Sequence, residues 1–105
     1  MKIVADFTLL PLGVGASLSR YVAACRSIVE ESGLTFSMHS AGTTIEGEWD
    51  EVDAVIRRCT ERMHELGAPR VAASIRVDSR RDKEPTIAGK LESLDNAITS
   101  IDKQN

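Results

Sequence analysis

With 105 residues and a formal net charge of -3, the chain has room for one compact domain and lacks the basic excess that would make nucleic acid its main partner. Its 42% hydrophobic and 28% charged residues fit a soluble globular protein, and 4% aromatic content leaves the core to Val, Ile, Leu and Ala. No apolar run approaches a membrane span, and MKIVADFTLL is broken by Asp6 without a signal-peptide profile, so a cytoplasmic, single-domain protein over residues 1–105 is expected.

KIVADFTLLPL reads as a strand with Ile3, Ala5, Phe7 and Leu9 on one face and Val4, Asp6, Thr8 and Leu10 on the other. GVGAS is a turn, and Ser17 or Ser19 can cap a helix whose stripe is Leu18, Val22, Cys25, Ile28 and Val29, ending at Gly33. In LTFSMHS, Leu34, Phe36 and Met38 alternate with Thr35, Ser37 and His39, and AGT turns the chain into the strand TTIEGEW. A second helix is expected from an Asp50 cap to about Leu66, buried through Val52, Val55, Ile56, Cys59, Met63 and Leu66. RVAASIRVDSR then alternates Val71, Ala73, Ile75 and Val77 with Ala72, Ser74, Arg76 and Asp78. Two successive βαβ halves of this kind predict an α+β fold, the ferredoxin-like split βαβ (βαββαβ), with an additional C-terminal helix from about Thr86.

That last helix carries Ile87, Leu91, Leu94, Ile98 and Ile101 at spacings of four, three, four and three, a narrow seam with polar flanks. Such a seam favours burial against a neighbouring protomer, and therefore a homo-oligomer built on two-fold contacts. Cys25 and Cys59 are too few and too far apart for a disulfide framework or a metal site, and both read as reduced core thiols. Neither His39 nor His64 has a metal-ligand companion at useful spacing, so no metal is expected; His64 falls on the solvated flank of the second helix. PLGVGAS sets two glycines before a helix N-terminus, but fits neither a P-loop nor a dinucleotide fingerprint and reads as a tight turn. Arg80 and Asp82 sit in a charged connector and are candidates for ion pairs between subunits. Trp49, just before the expected cap, reads as a core or hydrophobic-staple residue rather than a stacking platform.

The two sheet faces differ. One collects the apolar residues; the other carries Asp6, Thr8, Ser37, His39, Thr44, Glu46, Ser74 and Arg76. A wet face of an antiparallel sheet would look the same. As a binding wall, it offers Glu46 and Asp6 to a cationic or amino group, with Thr8, Ser37, Thr44 and Ser74 as further hydrogen-bonding groups and Val4 or Leu10 as an apolar floor. Paired carboxylates also suit acid–base work, but no nucleophile or metal cluster accompanies them.

FTLLPLGVGASLSRYVA, the SGL closing the first helix, AGTTIEGEWDEV, and RVAASIRVDSRRDK followed by GKLESL together resemble the small thiamine-binding protein family over nearly the whole chain. The resemblance implies a ferredoxin-like fold, dimers pairing into tetramers, no catalysis and no cofactor, with thiamine or its hydroxymethylpyrimidine portion as ligand. Ser40 and Ala41 depart from the family pattern, which places a difference at the pocket edge. An aminopyrimidine pairs a basic ring nitrogen with an exocyclic amine, and a thiazolium is cationic, so either suits Asp6 or Glu46. A small enzyme acting on a related heterocycle and a structural or regulatory oligomerisation module are the alternatives.

Overall fold

A computed structural model describes residues 1–104, with side chains through Ile101. The elements are β1 (Lys2–Leu12), α1 (Ser19–Glu31), β2 (Thr35–His39), β3 (Gly42–Glu48), α2 (Trp49–Glu65), β4 (Arg70–Ser79) and α3 (Ile87–Gln104). The sheet order is β2-β3-β1-β4 with every pair antiparallel, the ferredoxin-like split βαβ with an appended C-terminal helix. Each βαβ half skips one strand position, and the other half fills the gap.

Strand alternation sets the core. Ile3, Ala5 and Phe7 of β1 lie on one face with Ile45 of β3, all at most 3% exposed. Val29 of α1 and Val52, Cys59 and Met63 of α2 close over them. Removing a residue such as Ile45 would leave both a lost transfer term and a cavity, which is why these positions hold most of the stability.

The helices begin differently from the sequence reading. Leu18 and Glu48 occupy the N-cap positions of α1 and α2, and neither makes a side-chain cap bond. Ser19 and Asp50 therefore lie inside first turns, and Ser17 precedes the helix. Trp49 is not in the core: it is the first residue of α2, 46% exposed, and its N–H donates to the Met1 carbonyl at 3.0 Å. On α1 the buried stripe is Tyr21, Cys25 and Val29, while Val22 is 48% exposed. Gly13 and Gly15 take φ of +81° and +86°, so the segment before α1 is a tight turn available only to glycine without strain.

Ile75 and Val77 point to the helix side of β4 but stay 48% and 41% exposed. Two helices do not reach across the fourth strand, so β4 is both a sheet edge and an uncovered apolar rim. His64 is on the solvated flank as expected, with Nδ1 2.8 Å from the Ala68 carbonyl. Arg80 and Asp82 pair with each other within the chain, Nε to Oδ1 at 2.8 Å.

On the exposed flank of α2, Glu65 accepts from Arg58 at 2.8 Å and from Arg62 at 3.1 Å. The Arg58 hydrogen bond, then that of Arg62, holds its carboxyl below the usual glutamate range. A lowered folded value means that the contribution is present above the unfolded-chain value and is lost as pH falls through the lowered one. A carbon-detected NMR titration should place the Glu65 midpoint below that of an unstructured glutamate, moving back towards it in high salt.

Candidate functional site

The open face of the sheet is read from its register. Across it, Ser37, Thr44, Asp6 and Arg76 form one row; Thr35, Glu46, Val4 and Asp78 form the next. Thr8 pairs with Ser74 at the far side of the Asp6 row. All six candidates, Glu46, Asp6, Thr8, Ser37, Thr44 and Ser74, therefore sit on one face, but only some of them meet.

Asp6 and Thr44 do. The Thr44 hydroxyl donates to Asp6 Oδ1 at 3.4 Å, and His39 Nε2 lies 2.8 Å from the same oxygen. The Ala41 N–H donates to His39 Nδ1 at 3.4 Å, which leaves the Nε2 hydrogen to be donated to Asp6. His39 belongs to β2 and Asp6 to β1, with β3 between them. The histidine crosses because Gly42 has no side chain: a Cβ there would lie 2.7 Å from Thr8 Oγ1 and 3.4 Å from His39 Cε1. Thr8 is committed elsewhere, donating to the Ala41 carbonyl at 2.6 Å. Ser37 and Ser74 are exposed and flank the group without bonding to it.

Glu46 has a different neighbour. Its Oε2 accepts the N–H of Ile87, the first residue of α3, at 2.9 Å. A carboxylate at a helix N-terminus satisfies an orphan donor and the positive end of the dipole. On the other side of the row, Lys90 pairs with Asp78. The first turn of α3 thus straddles Val4, which is only 4% exposed although it faces away from the main core.

Between Asp6 and α3 lies a depression of about 430 Å³ lined by Val4, Asp6, Thr44, Arg76, Asp78 and Lys90. Its floor is apolar and its wall offers carboxylates and a hydroxyl, with Arg76 and Lys90 able to face an anion. A second, more apolar notch of about 270 Å³ opens where β3 stops pairing at Phe7 while β4 follows β1 to Leu12. Leu10, Leu18, Val22 and Met38 line it, with Thr8 and His39 at its rim. Arg76 and Asp78 follow from the alternation of β4. The reach of His39 and the placement of Lys90 depend on a missing side chain and on helix docking, and strand periodicity signals neither. Among the described residues, no group of three His, Cys, Asp or Glu side chains is arranged to hold a metal ion.

The family model described as "Thiamine-binding protein" matches residues 5–95. The chain belongs to that family. The match runs from β1 into α3 and so takes in both halves of the sheet. Among curated relatives, the UPF0045 protein sll0230 of Synechocystis sp. is 45% identical over 95 residues, covering 90% of this chain and 78% of its own. The UPF0045 protein ECM15 of Eremothecium gossypii is 38% identical over 97 residues, covering 91% and 92%. Among solved structures, the hypothetical protein MJ1052 of Methanocaldococcus jannaschii superposes with a TM-score of 0.83 at 33% identity, over 89% of this chain and 95% of that one. A Thermotoga maritima protein, provisionally described as a thiamine biosynthesis/salvage protein, has a TM-score of 0.76 at 17% identity over 90% and 99%; at that identity the likeness is one of fold.

Proposed function

We propose that this protein binds thiamine or its hydroxymethylpyrimidine moiety in the cytoplasm without transforming it, as a carrier, buffer or sensor in thiamine metabolism. The family match over residues 5–95 carries the reading. The chemistry of the open face supports it. Asp6 keeps a side chain 46% exposed beside the depression, so its carboxylate is available to an exocyclic amine or to a thiazolium charge. Thr44 and Ser37 share its row, Thr8 and Ser74 lie beyond it on the side away from Val4, and Val4 supplies the apolar floor. Glu46, one row over beside Val4, fixes the start of α3 at the edge of the depression.

The assembly proposed is a homodimer pairing into a homotetramer. Two separate apolar surfaces are uncovered in the single chain, the α3 seam and the Ile75–Val77 rim of edge strand β4. Two distinct self-complementary interfaces are what dihedral pairing of dimers requires.

Isothermal titration with thiamine and, separately, with hydroxymethylpyrimidine tests the function. Saturable heat with ligand recovered chemically unchanged is the expected result. A converted ligand would make the protein an enzyme, and no heat with an unshifted Tm would leave an oligomerisation module. Asp6→Asn should weaken binding by roughly 1.5–3 kcal/mol, about ten- to a hundredfold, by removing a charge-assisted hydrogen bond. Full affinity in a folded Asp6→Asn protein would take Asp6 out of the site.

A further inference from the structure

Cys25 of α1 and Cys59 of α2 meet where the two helices pack. The Cys25 thiol donates to the Cys59 carbonyl at 3.9 Å, and the Cys59 thiol donates to the Cys25 carbonyl at 3.8 Å. Each sulfur therefore lies against the other residue's backbone. They are the only two cysteines of the sequence, and both are free and buried.

The pair is not symmetric. Cys59 is 0% exposed, whereas Cys25 is 8% exposed and lines the apolar notch beside Leu18, Val22 and Met63. The contact with Cys25, then burial, pushes the Cys59 thiol above the ordinary cysteine value. A thiol reached from a notch and backed by a second, fully buried thiol has the arrangement of an attacking and a resolving cysteine.

We propose that Cys25 and Cys59 form a reversible dithiol–disulfide couple tying α1 to α2, with Cys25 meeting the oxidant through the apolar notch. The oxidant class that suits an apolar entrance is a small uncharged peroxide. The Cys25 thiolate attacks one peroxide oxygen, the O–O bond breaks, and the departing hydroxide leaves as water, giving a sulfenic acid. The Cys59 sulfur then attacks the Cys25 sulfur, the S–O bond breaks, and the hydroxide leaves as water with the Cys59 proton. In sum, two thiols lose two electrons and two protons, and one hydrogen peroxide becomes two waters. The two residues already touch across the packed helices, each sulfur against the other's carbonyl oxygen.

The test treats the intact protein with hydrogen peroxide and then alkylates remaining thiols under denaturing conditions. The expected result is loss of two hydrogens, no alkylation of either cysteine, and a Cys25–Cys59 peptide crosslink that dithiothreitol removes. Closing the loop between the helices should raise Tm by roughly 10 °C. In Cys59→Ala, oxidation should stop at a dimedone-reactive Cys25; in Cys25→Ala, Cys59 should stay unmodified. Full alkylation of both cysteines after peroxide, or a crosslink between two chains, would overturn the couple. Peroxide reaction of Cys59 in Cys25→Ala would overturn the assignment of roles. The crosslink in the unsubstituted protein is read independently of whether either variant folds.

Discussion

Gly42→Ala should destabilise the protein by about 2 kcal/mol, and Gly42→Val by more, although replacing a strand glycine ordinarily stabilises by up to about 1 kcal/mol. The reversed sign comes from what stands over Gly42. A Cβ would lie 2.6 Å from the Phe7 carbonyl and 2.7 Å from Thr8 Oγ1, and the first is backbone of the central strand. Something must shift, and what shifts most readily is the group at the site. Thr8 would be displaced from the Ala41 carbonyl, and His39 would lose its path over β3 to Asp6. Urea unfolding reads the stability, and the His39 ring signals in NMR read the contact. An unchanged urea midpoint for Gly42→Ala would show that the β2–β3 hairpin relaxes freely, and that the glycine is not what brings His39 to Asp6.

Leu94→Glu should break the assembly proposed above, weakening it by roughly a hundredfold or more, because a carboxylate would have to be buried in an apolar seam without a partner. Leu91, Leu94, Ile98 and Ile101 are 59%, 56%, 48% and 59% exposed in the single chain, a continuous stripe of the kind that stable monomers seldom present. Among the described residues, the first turn of α3 is fastened through Glu46 and Lys90, and from Leu91 to Ile101 the helix is exposed. Sedimentation of the two proteins decides it. A parent protein already monomeric, or a Leu94→Glu variant of unchanged size, would remove the seam from any interface.

Much of the architecture was legible because both elementary periods are clean. Ile3, Ala5 and Phe7 against Val4, Asp6 and Thr8 announce a strand with two unlike faces, and Val52, Val55, Ile56, Cys59 and Met63 announce a helix with one buried side. What period cannot report is whether another layer reaches the side chain it orients. Val22 and the β4 pair Ile75 and Val77 are oriented as read, yet the layer above them is missing. The opposite misreading occurs at Val4, placed on the open face by alternation but covered by the start of α3. Trp49 and the caps failed for a local reason: Glu48 in extended geometry caps α2 two residues before Asp50, and the tryptophan leaves the strand.

At the candidate site, the open face and its carboxylates follow from alternation alone. The separate fates of the two carboxylates do not. Glu46 is taken by a helix forty-one residues further on, and Asp6 is joined by a histidine from two strands away. The first is a consequence of docking with no trace in β1 or β3; the second leaves only the bare Gly42 at the start of β3, which alternation alone does not single out.

On β1 the site and the core are threaded through one another: Asp6 stands between Ala5 and Phe7, which are 0% and 3% exposed. Because the side-chain period of a strand is two, losing one residue between Val4 and Thr8 would turn Asp6 inward and Phe7 outward together. The strand can thus change its ligand chemistry by substitution, one outward position at a time, while its length is held by the packing behind it. In a lineage of such proteins, new specificities would be written at positions 4, 6 and 8 by point changes, and insertions would gather in the connectors.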